Sequence, residues 1–316
     1  SEPPLSPSQG QGPGGHLRPF PYLAHLVNPA ATCHATAMDL WIAVTLSAAF
    51  FQTLRFMLHK VLSMGRLTTT GSTFARFAYA APAAWVMIGG YLWVLGAPVP
   101  ALTGTFWAYA LSGALGQVLA TLCVVALFRQ RNFAVGITFK KTEVIQTALV
   151  GLVVLGEALS LAGWAAIAVG LAGVVLLSDT PGGTGGWLRR MGNRAVALGL
   201  ASGFFFAISA VGYRAASLQI DAADPLIRSG VTLVCVTSSQ ALAMALWLRL
   251  VEPGQITAVW AARRRAIWLG LASMAGSLSW FTAFTLQTAA YVQALGQVEL
   301  VFSLMASVLF FRERIT

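Results

Sequence analysis

Two glutamates in the middle of long apolar segments are the residues of this sequence most able to do chemistry. Glu143 and Glu299 each lie near the centre of such a segment, whereas the other acids lie in tails, loops or segment ends. A charged side chain at the bilayer centre costs about 2.5–3.5 kcal/mol on insertion scales, so it usually serves a water-filled path or a proton relay. We therefore predict that both glutamates couple transport to protons. Two buried acids that are neutralised by basic neighbours, or protonated for helix packing, are the alternative.

Polar residues accompany each glutamate at helical spacing. Lys140 lies three residues before Glu143 on the same helix face, close enough to pair with it. We expect the polar helix face around Glu143 and the polar helix face around Glu299 to lie opposite each other across a central cavity. Glu143 is expected to be ionised and paired. Glu299 has no basic residue in its own segment and is the better proton carrier by this reasoning. The predicted substrate-binding residues are Glu143, Lys140, Lys141, Gln146, Gln117, Gln293 and Gln297.

Three further polar residues lie within apolar segments. Gln117 is equally suited to binding a substrate and to an ordinary interhelical hydrogen bond. Arg55 is expected to extend its charged end toward the lipid headgroups. His59 has no second His, Cys or Asp at ligand spacing, so no metal site is predicted, and no cofactor is predicted either.

The elements that carry these residues are predicted from composition. Hydrophobic residues make up 57% of the 316 and charged residues only 9%, whereas soluble domains carry about 25% charged residues. The net charge of +10 does not indicate nucleic acid, because the basic residues are spread between apolar runs. Segments long enough to cross a bilayer as helices fall at 40–59, 72–95, 104–127, 134–155, 158–177, 195–217, 225–248, 266–286 and 290–311.

The spans repeat. The segment from Phe128 to Glu143 aligns without a gap over the segment from Phe284 to Glu299, and Ser47–Phe51 aligns over Ser202–Phe206. The predicted organisation is a disordered, non-native or upstream tail at 1–37, a first five-helix repeat at 38–178, a basic Gly-rich linker at 179–194 and a second repeat at 195–316.

Because five is odd, the second repeat must enter the membrane from the opposite side. The predicted fold class is therefore an all-α membrane protein with a ten-helix inverted-repeat (5+5) transporter fold. Nine helices are present here, so we expect the tenth to be truncated and the gene to continue past Thr316.

Most basic residues fall at one end of the spans, and Arg76, Arg189 and Arg263 are among them. Basic loops are usually cytoplasmic, so we expect the N-terminus outside. Small residues at Gly163, Gly170 and Gly173 predict close helix packing, either between the halves or in a homodimer.

The tandem unit ending in LGEALSLAGWAAIAVGLAGVVLLS, with its counterpart ending in FFRERIT, resembles the EamA-type permeases of the drug/metabolite transporter (DMT) superfamily. Gly156-Glu157, Leu159 and the Arg76-Phe77 opening of the second helix also carry the resemblance. It implies a multi-pass carrier of the bacterial inner (plasma) membrane that moves amino acids, metabolites or drugs.

We expect a secondary active transporter of small metabolites rather than an enzyme, since no Walker-type nucleotide loop is present. The expected partners are a small-molecule substrate and membrane lipids, with a homodimer as an open alternative, and nucleic acid is not expected. An intramembrane lipid-modifying enzyme or a non-transporting membrane scaffold is the alternative. An enzyme would need a nucleophile with a base or a His and Asp cluster, and neither is visible.

Overall fold

The secondary structure described by the computed structural model is entirely helical. The model describes residues 29–63, 67–127, 139–177 and 194–303, together with residue 305. The basic linker and the chain end predicted from the sequence lie almost wholly outside these ranges. The chain divides into Ser1–Met38 and Asp39–Thr316, and the contacts and cavities reported below all lie within the second unit.

Ten helices can be bounded within the described ranges. They are α1 (Pro29–Ser63), α2 (Thr69–Leu95), α3 (Gly104–Leu127), α4 (Glu143–Leu155), α5 (Leu161–Leu177), α6 (Arg194–Leu218), α7 (Pro225–Val251), α8 (Gln255–Ala261), α9 (Arg263–Leu286) and α10 (Ala289–Gly296). A further helical stretch covers 299–303. The first turns of α1 lie in the range 1–37 that the sequence predicts as a tail.

Six of these helices are long and apolar enough to cross a membrane: α1 over Leu40–Leu62, α2, α3, α6, α7 and α9. They coincide with six of the predicted spans. The chain is therefore a helical, multi-pass membrane protein by the length and composition of its helices. The short helix α8 was not predicted, because its seven residues lie in a loop between two spans.

The helix ends are set by local residue chemistry. The Thr68 side chain accepts a hydrogen bond from the Gly71 amide at the start of α2, and Gly96 ends that helix with a φ of 60°, in the left-handed region. Asp224 caps α7 in the same way, with Pro225 in its first turn.

The loops gather at two ends of the bundle. At one end, Thr68 donates through its hydroxyl to Glu252 over 2.6 Å, and its amide donates to Gln255 over 3.1 Å. At the other end, the Tyr91 hydroxyl donates to Asp224 over 2.7 Å. The first end adjoins the basic start of α9, so loops that the sequence assigns to one side of the membrane do lie together.

Small residues bring α3 and α6 into direct backbone contact. A Cβ on Gly116 would lie 2.8 Å from the Phe205 carbonyl oxygen, and a Cβ on Gly212 would lie 3.0 Å from the Tyr109 carbonyl oxygen. These helices therefore pack closely along their length, as small residues allow in membranes.

Two predicted spans are interrupted where the sequence predicts continuous helices. Residues 141–142 form a turn directly before Glu143, and residues 297–298 form a turn directly before Glu299. At the second turn the backbone bonds are short-range, since the Val298 amide donates to the Leu295 carbonyl and the Leu300 amide donates to the Gln297 carbonyl. Each glutamate thus opens a new helical segment rather than lying mid-helix.

Candidate functional site

Two buried ion pairs lie where the interrupted helices meet. Lys140 Nζ is 2.9 Å from Glu143 Oε2, which confirms the predicted pairing. Lys141 Nζ is 3.9 Å from Glu299 Oε2 and joins the two segments. Glu299 has no basic residue in its own segment, and its lysine partner comes from a distant part of the chain.

Gln52 of α1 organises the surroundings of Glu299. Its Nε2 donates to Glu299 Oε2 over 3.0 Å, while its Oε1 accepts from Arg55 Nη2 over 2.7 Å and from Trp280 Nε1 over 3.0 Å. Sequence reasoning missed Gln52 and Trp280. The available signal was that Gln52 lies three residues before Arg55, on the same face of α1.

The prediction that Arg55 extends to the headgroups is wrong, because its side chain is buried among α1 and its neighbours. Arg76 is also buried and donates to Thr121 Oγ1 over 2.9 Å. It was counted with the basic residues at the membrane surface. An arginine one or two turns from a helix end can face either the protein interior or the headgroups, and the sequence does not reveal which.

A second hydrogen-bond network joins α3, α6 and α7. Tyr213 Oη donates to Gln117 Oε1 over 3.0 Å, and Gln240 Nε2 donates to the same oxygen over 3.1 Å. Of the two roles considered for Gln117, the interhelical bond is present, and its side chain also borders the central cavity.

The central cavity lies between these two networks. Its volume is about 30 Å³, and its polar lining comes from Gln52, Gln117, Glu143, Ser209, Tyr213, Ser277, Trp280 and Gln293. Such a volume holds one or two water molecules. Among the described residues, the cavity is therefore too small for a metabolite.

The remaining predicted site residues are spread around this cavity. Lys141 and Gln297 line a neighbouring small cavity against α5. Gln146 Nε2 donates to Thr142 Oγ1 over 3.0 Å, and Gln297 Nε2 donates to the Gln293 carbonyl over 3.1 Å. Lys140 Nζ lies 4.9 Å from the centre of the Phe206 ring, within cation–π distance.

An apolar groove of about 440 Å³ opens between α3 and α7. Its walls include Leu111, Leu115, Met244 and Trp247, and Gln240 lies at the groove as well as in the network with Gln117. Because Leu115 and Trp247 are exposed, lipid chains are the natural occupants of this groove in a bilayer.

Arg214, near the end of α6, links three segments of the chain through hydrogen bonds. Its Nε donates to Glu157 Oε1 over 2.6 Å, and its Nη1 donates to the Phe284 and Gln287 carbonyls over 2.6 and 2.7 Å. Nearby, a Cβ on Gly163 would lie 2.6 Å from Tyr291 Oη. Gly163 therefore serves packing between the two predicted repeats.

The described residues contain no group of three His, Cys, Asp or Glu side chains that could hold a metal ion.

No family model and no curated protein sequence matches the chain. Among solved structures, 12 chains match. One, described only as "Crystal structure of protein", has a TM-score of 0.60 and 17% identity over 85% of this chain and 91% of the other. At this identity the similarity shows a shared fold alone.

Proposed function

We propose that this chain is a secondary transporter of small metabolites in the bacterial inner membrane, built as an inverted repeat of the EamA type. One observation carries the proposal: two repeat-related segments break directly before a buried carboxylate, and each carboxylate contacts a lysine at the break. In inverted-repeat transporters, interrupted helices near the midplane form the substrate and ion sites.

The packing supports the repeat. In the proposed repeat α1 corresponds to α6 and α3 corresponds to α9. The pair α3–α6 packs through glycines, and its counterpart α9–α1 does so too, since a Cβ on Gly276 would lie 3.2 Å from Phe51 Cβ. A two-fold relation between the halves predicts this matched pairing of contacts.

Glu299 is the better candidate for proton coupling, for a reason that only the three-dimensional arrangement supplies. Its lysine contact is 3.9 Å long, against 2.9 Å for the Lys140–Glu143 pair. The same carboxylate oxygen also accepts from Gln52 of α1 over 3.0 Å, so a movement between α1 and the two interrupted segments would change the charge environment of Glu299. Lys140, Lys141 and Arg55 are the basic groups within electrostatic reach of Glu299.

The loops at the basic end are cytoplasmic in this proposal, because basic loops are retained inside. The partners are then a small-molecule substrate and the surrounding lipids.

Transport by the purified chain in liposomes tests the proposal. We expect an imposed pH gradient to drive accumulation of a substrate from a pooled set of metabolites. Glu299→Gln should lose this accumulation at least tenfold while retaining part of substrate exchange. Asp221→Asn, which removes an exposed acid between α6 and α7, should behave as the unsubstituted chain.

Well-folded Glu299→Gln protein with unchanged, pH-dependent accumulation would remove the coupling role. Product formation without any gradient would indicate an intramembrane enzyme instead. Absence of both transport and product over the whole pool would favour a scaffold.

A further inference from the structure

The buried charges of the helical bundle do not balance. Among the described residues, the side chains with fixed charge that are buried inside the spans are Arg55, Arg76, Lys140, Lys141, Glu143 and Glu299. Four positive charges thus face two negative charges, an excess of two. His59 is buried beside them and adds no negative charge.

The two lysines form the ion pairs with both carboxylates. The direct hydrogen-bond partners of the arginines are neutral side chains, although Arg55 lies within electrostatic reach of Glu299 and Glu143. Arg55 is 2% exposed and donates to the Gln52 amide oxygen over 2.7 Å. Arg76 is 1% exposed and donates to the Thr121 hydroxyl over 2.9 Å. His59 is 1% exposed, and its Nδ1 lies 3.1 Å from Ser72 Oγ.

Each of these three side chains also has a nitrogen without a hydrogen-bond partner in the described part of the chain. The atoms are Arg55 Nε, Arg76 Nη2 and His59 Nε2, and all are buried. Native proteins satisfy nearly all buried polar atoms, so three unpartnered nitrogens close together are suited to a ligand that offers several acceptor atoms.

The three side chains form one cluster. Arg55 lies one turn before His59 on α1, His59 Nδ1 lies 3.1 Å from Ser72 Oγ, and Arg76 lies one turn after Ser72 on α2. A guanidinium does not lose its proton in proteins, so neither arginine escapes the cost of burial by becoming neutral. A bound anion would offset the cost of burying these positive charges. The forked guanidinium group matches the geometry of a carboxylate or a phosphate.

The cluster adjoins the central cavity. Arg55 shares Gln52 with Glu299, and Gln52 lines the cavity. His59 lies one helical turn beyond Arg55, toward the basic end of α1 at Lys60. The lining that the structure describes reaches Gln52 and does not include the three side chains, so a ligand reaches the arginines from the cavity when Gln52 moves aside.

We propose that Arg55 and Arg76, with His59, bind the anionic group of the transported molecule. The inference rests on the proposed transport function and narrows its substrates from small metabolites in general to small organic anions that carry a carboxylate or a phosphate.

Ligand-induced thermal stabilisation of the purified full chain in nanodiscs tests this site without any gradient. The probes are succinate and inorganic phosphate, compared with uncharged succinamide and with sodium chloride at equal ionic strength. We expect succinate, phosphate or both to raise Tm saturably, whereas succinamide and chloride do not. Stabilisation by one probe alone identifies carboxylates or phosphates as the source of the anionic group.

Arg55→Gln and Arg76→Gln should each raise the probe concentration that gives half of the maximal Tm shift at least tenfold. Arg55→Lys should raise it less. The matched control is Arg264→Gln, which removes an exposed arginine at the start of α9 and should bind as the unsubstituted chain. Because the direct hydrogen-bond partner of each buried arginine is a neutral side chain, the Gln variants should unfold without probe at about the same temperature as the unsubstituted chain. Lost stabilisation would then not reflect lost folding.

Equal stabilisation by succinamide and succinate, no anion effect on the unsubstituted chain, or unchanged anion binding in both Gln variants would overturn the site. Counterflow of radiolabelled succinate or phosphate in liposomes separates the two proposals. Anion binding without any transport would contradict the transporter and leave the anion site standing.

Discussion

At the scale of single residues, the Lys140–Glu143 pair shows how the interior tolerates charge. Both side chains are buried, and their charged atoms lie 2.9 Å apart. Removing such charges from water costs several kcal/mol per ion, and their mutual attraction offsets this only while both partners are present. Removing either residue of the pair alone should therefore destabilise the folded chain.

We expect Lys140→Met to destabilise the chain by about 3–5 kcal/mol, because it leaves Glu143 charged and unpaired. The double variant Lys140→Met/Glu143→Gln should recover most of this loss. Denaturant unfolding in mild detergent measures both, with Arg264→Met as an exposed control of the same charge change. A double variant no more stable than the single one would show that the two residues are not energetically coupled.

The sequence predicts the local pair because residues three apart on a helix are neighbours. It does not predict that Gln52 binds Glu299, since 247 residues separate them and only the packing of α1 against the second half brings them together. The same limit explains Arg55. Its position along α1 is visible in the sequence, but the helix face that becomes buried is not.

At the scale of helices, close packing of α3 against α6 forms the centre of the bundle. The contact depends on glycines, because a Cβ on Gly116 would meet a carbonyl oxygen that belongs to the backbone of α6 and cannot rotate away. Adding even one methyl group to such a contact forces the helices apart.

Gly116→Ala is expected to lower the free energy of unfolding by about 1–3 kcal/mol through overpacking. Gly89→Ala is the matched control, since nothing lies within 4 Å of a Cβ there and alanine favours the helix. Thermal unfolding in detergent measures the difference. Equal stability of the two variants would mean that α3 and α6 are not in backbone contact.

Hydropathy predicts the helices well because an apolar run in a membrane must satisfy its own backbone hydrogen bonds. It does not predict the breaks before Glu143 and Glu299, because a turn inside an apolar run hardly changes its mean hydropathy. Gln297, at the second break, was assigned to a continuous polar helix surface, and Lys141, at the first, was assigned to the substrate-binding residues.

At the scale of the whole molecule, α7 separates two sets of loops. Asp224 precedes its first residue and Glu252 follows its last. Thr68, just before α2, contacts Glu252, so the start of α2 lies beside the end of α7. Tyr91, near the end of α2, contacts Asp224, so the end of α2 lies beside the start of α7. One end carries the basic start of α9 and the other carries the Arg214–Glu157 pair.

Cysteine labelling of intact cells tests which end is cytoplasmic. In a chain whose three cysteines are replaced, single cysteines at Gly183 and Ala262 should resist a membrane-impermeant thiol reagent. A cysteine at Asp221, at the opposite end of α7, should react rapidly. Fast reaction at 183 and 262 with protection at 221 would reverse the proposed orientation.

The excess of buried positive charge makes the empty and the occupied protein differ electrically. A dianion such as succinate would cancel the excess of two in the described core. A membrane potential of 100 mV acts with about 2.3 kcal/mol on each elementary charge that crosses it fully. If the chain works as the proposed transporter, voltage should therefore act on the step in which the binding site returns empty and hardly on the step in which it carries succinate. With a potassium diffusion potential set by valinomycin, net succinate flux should change with voltage while one-for-one exchange should not.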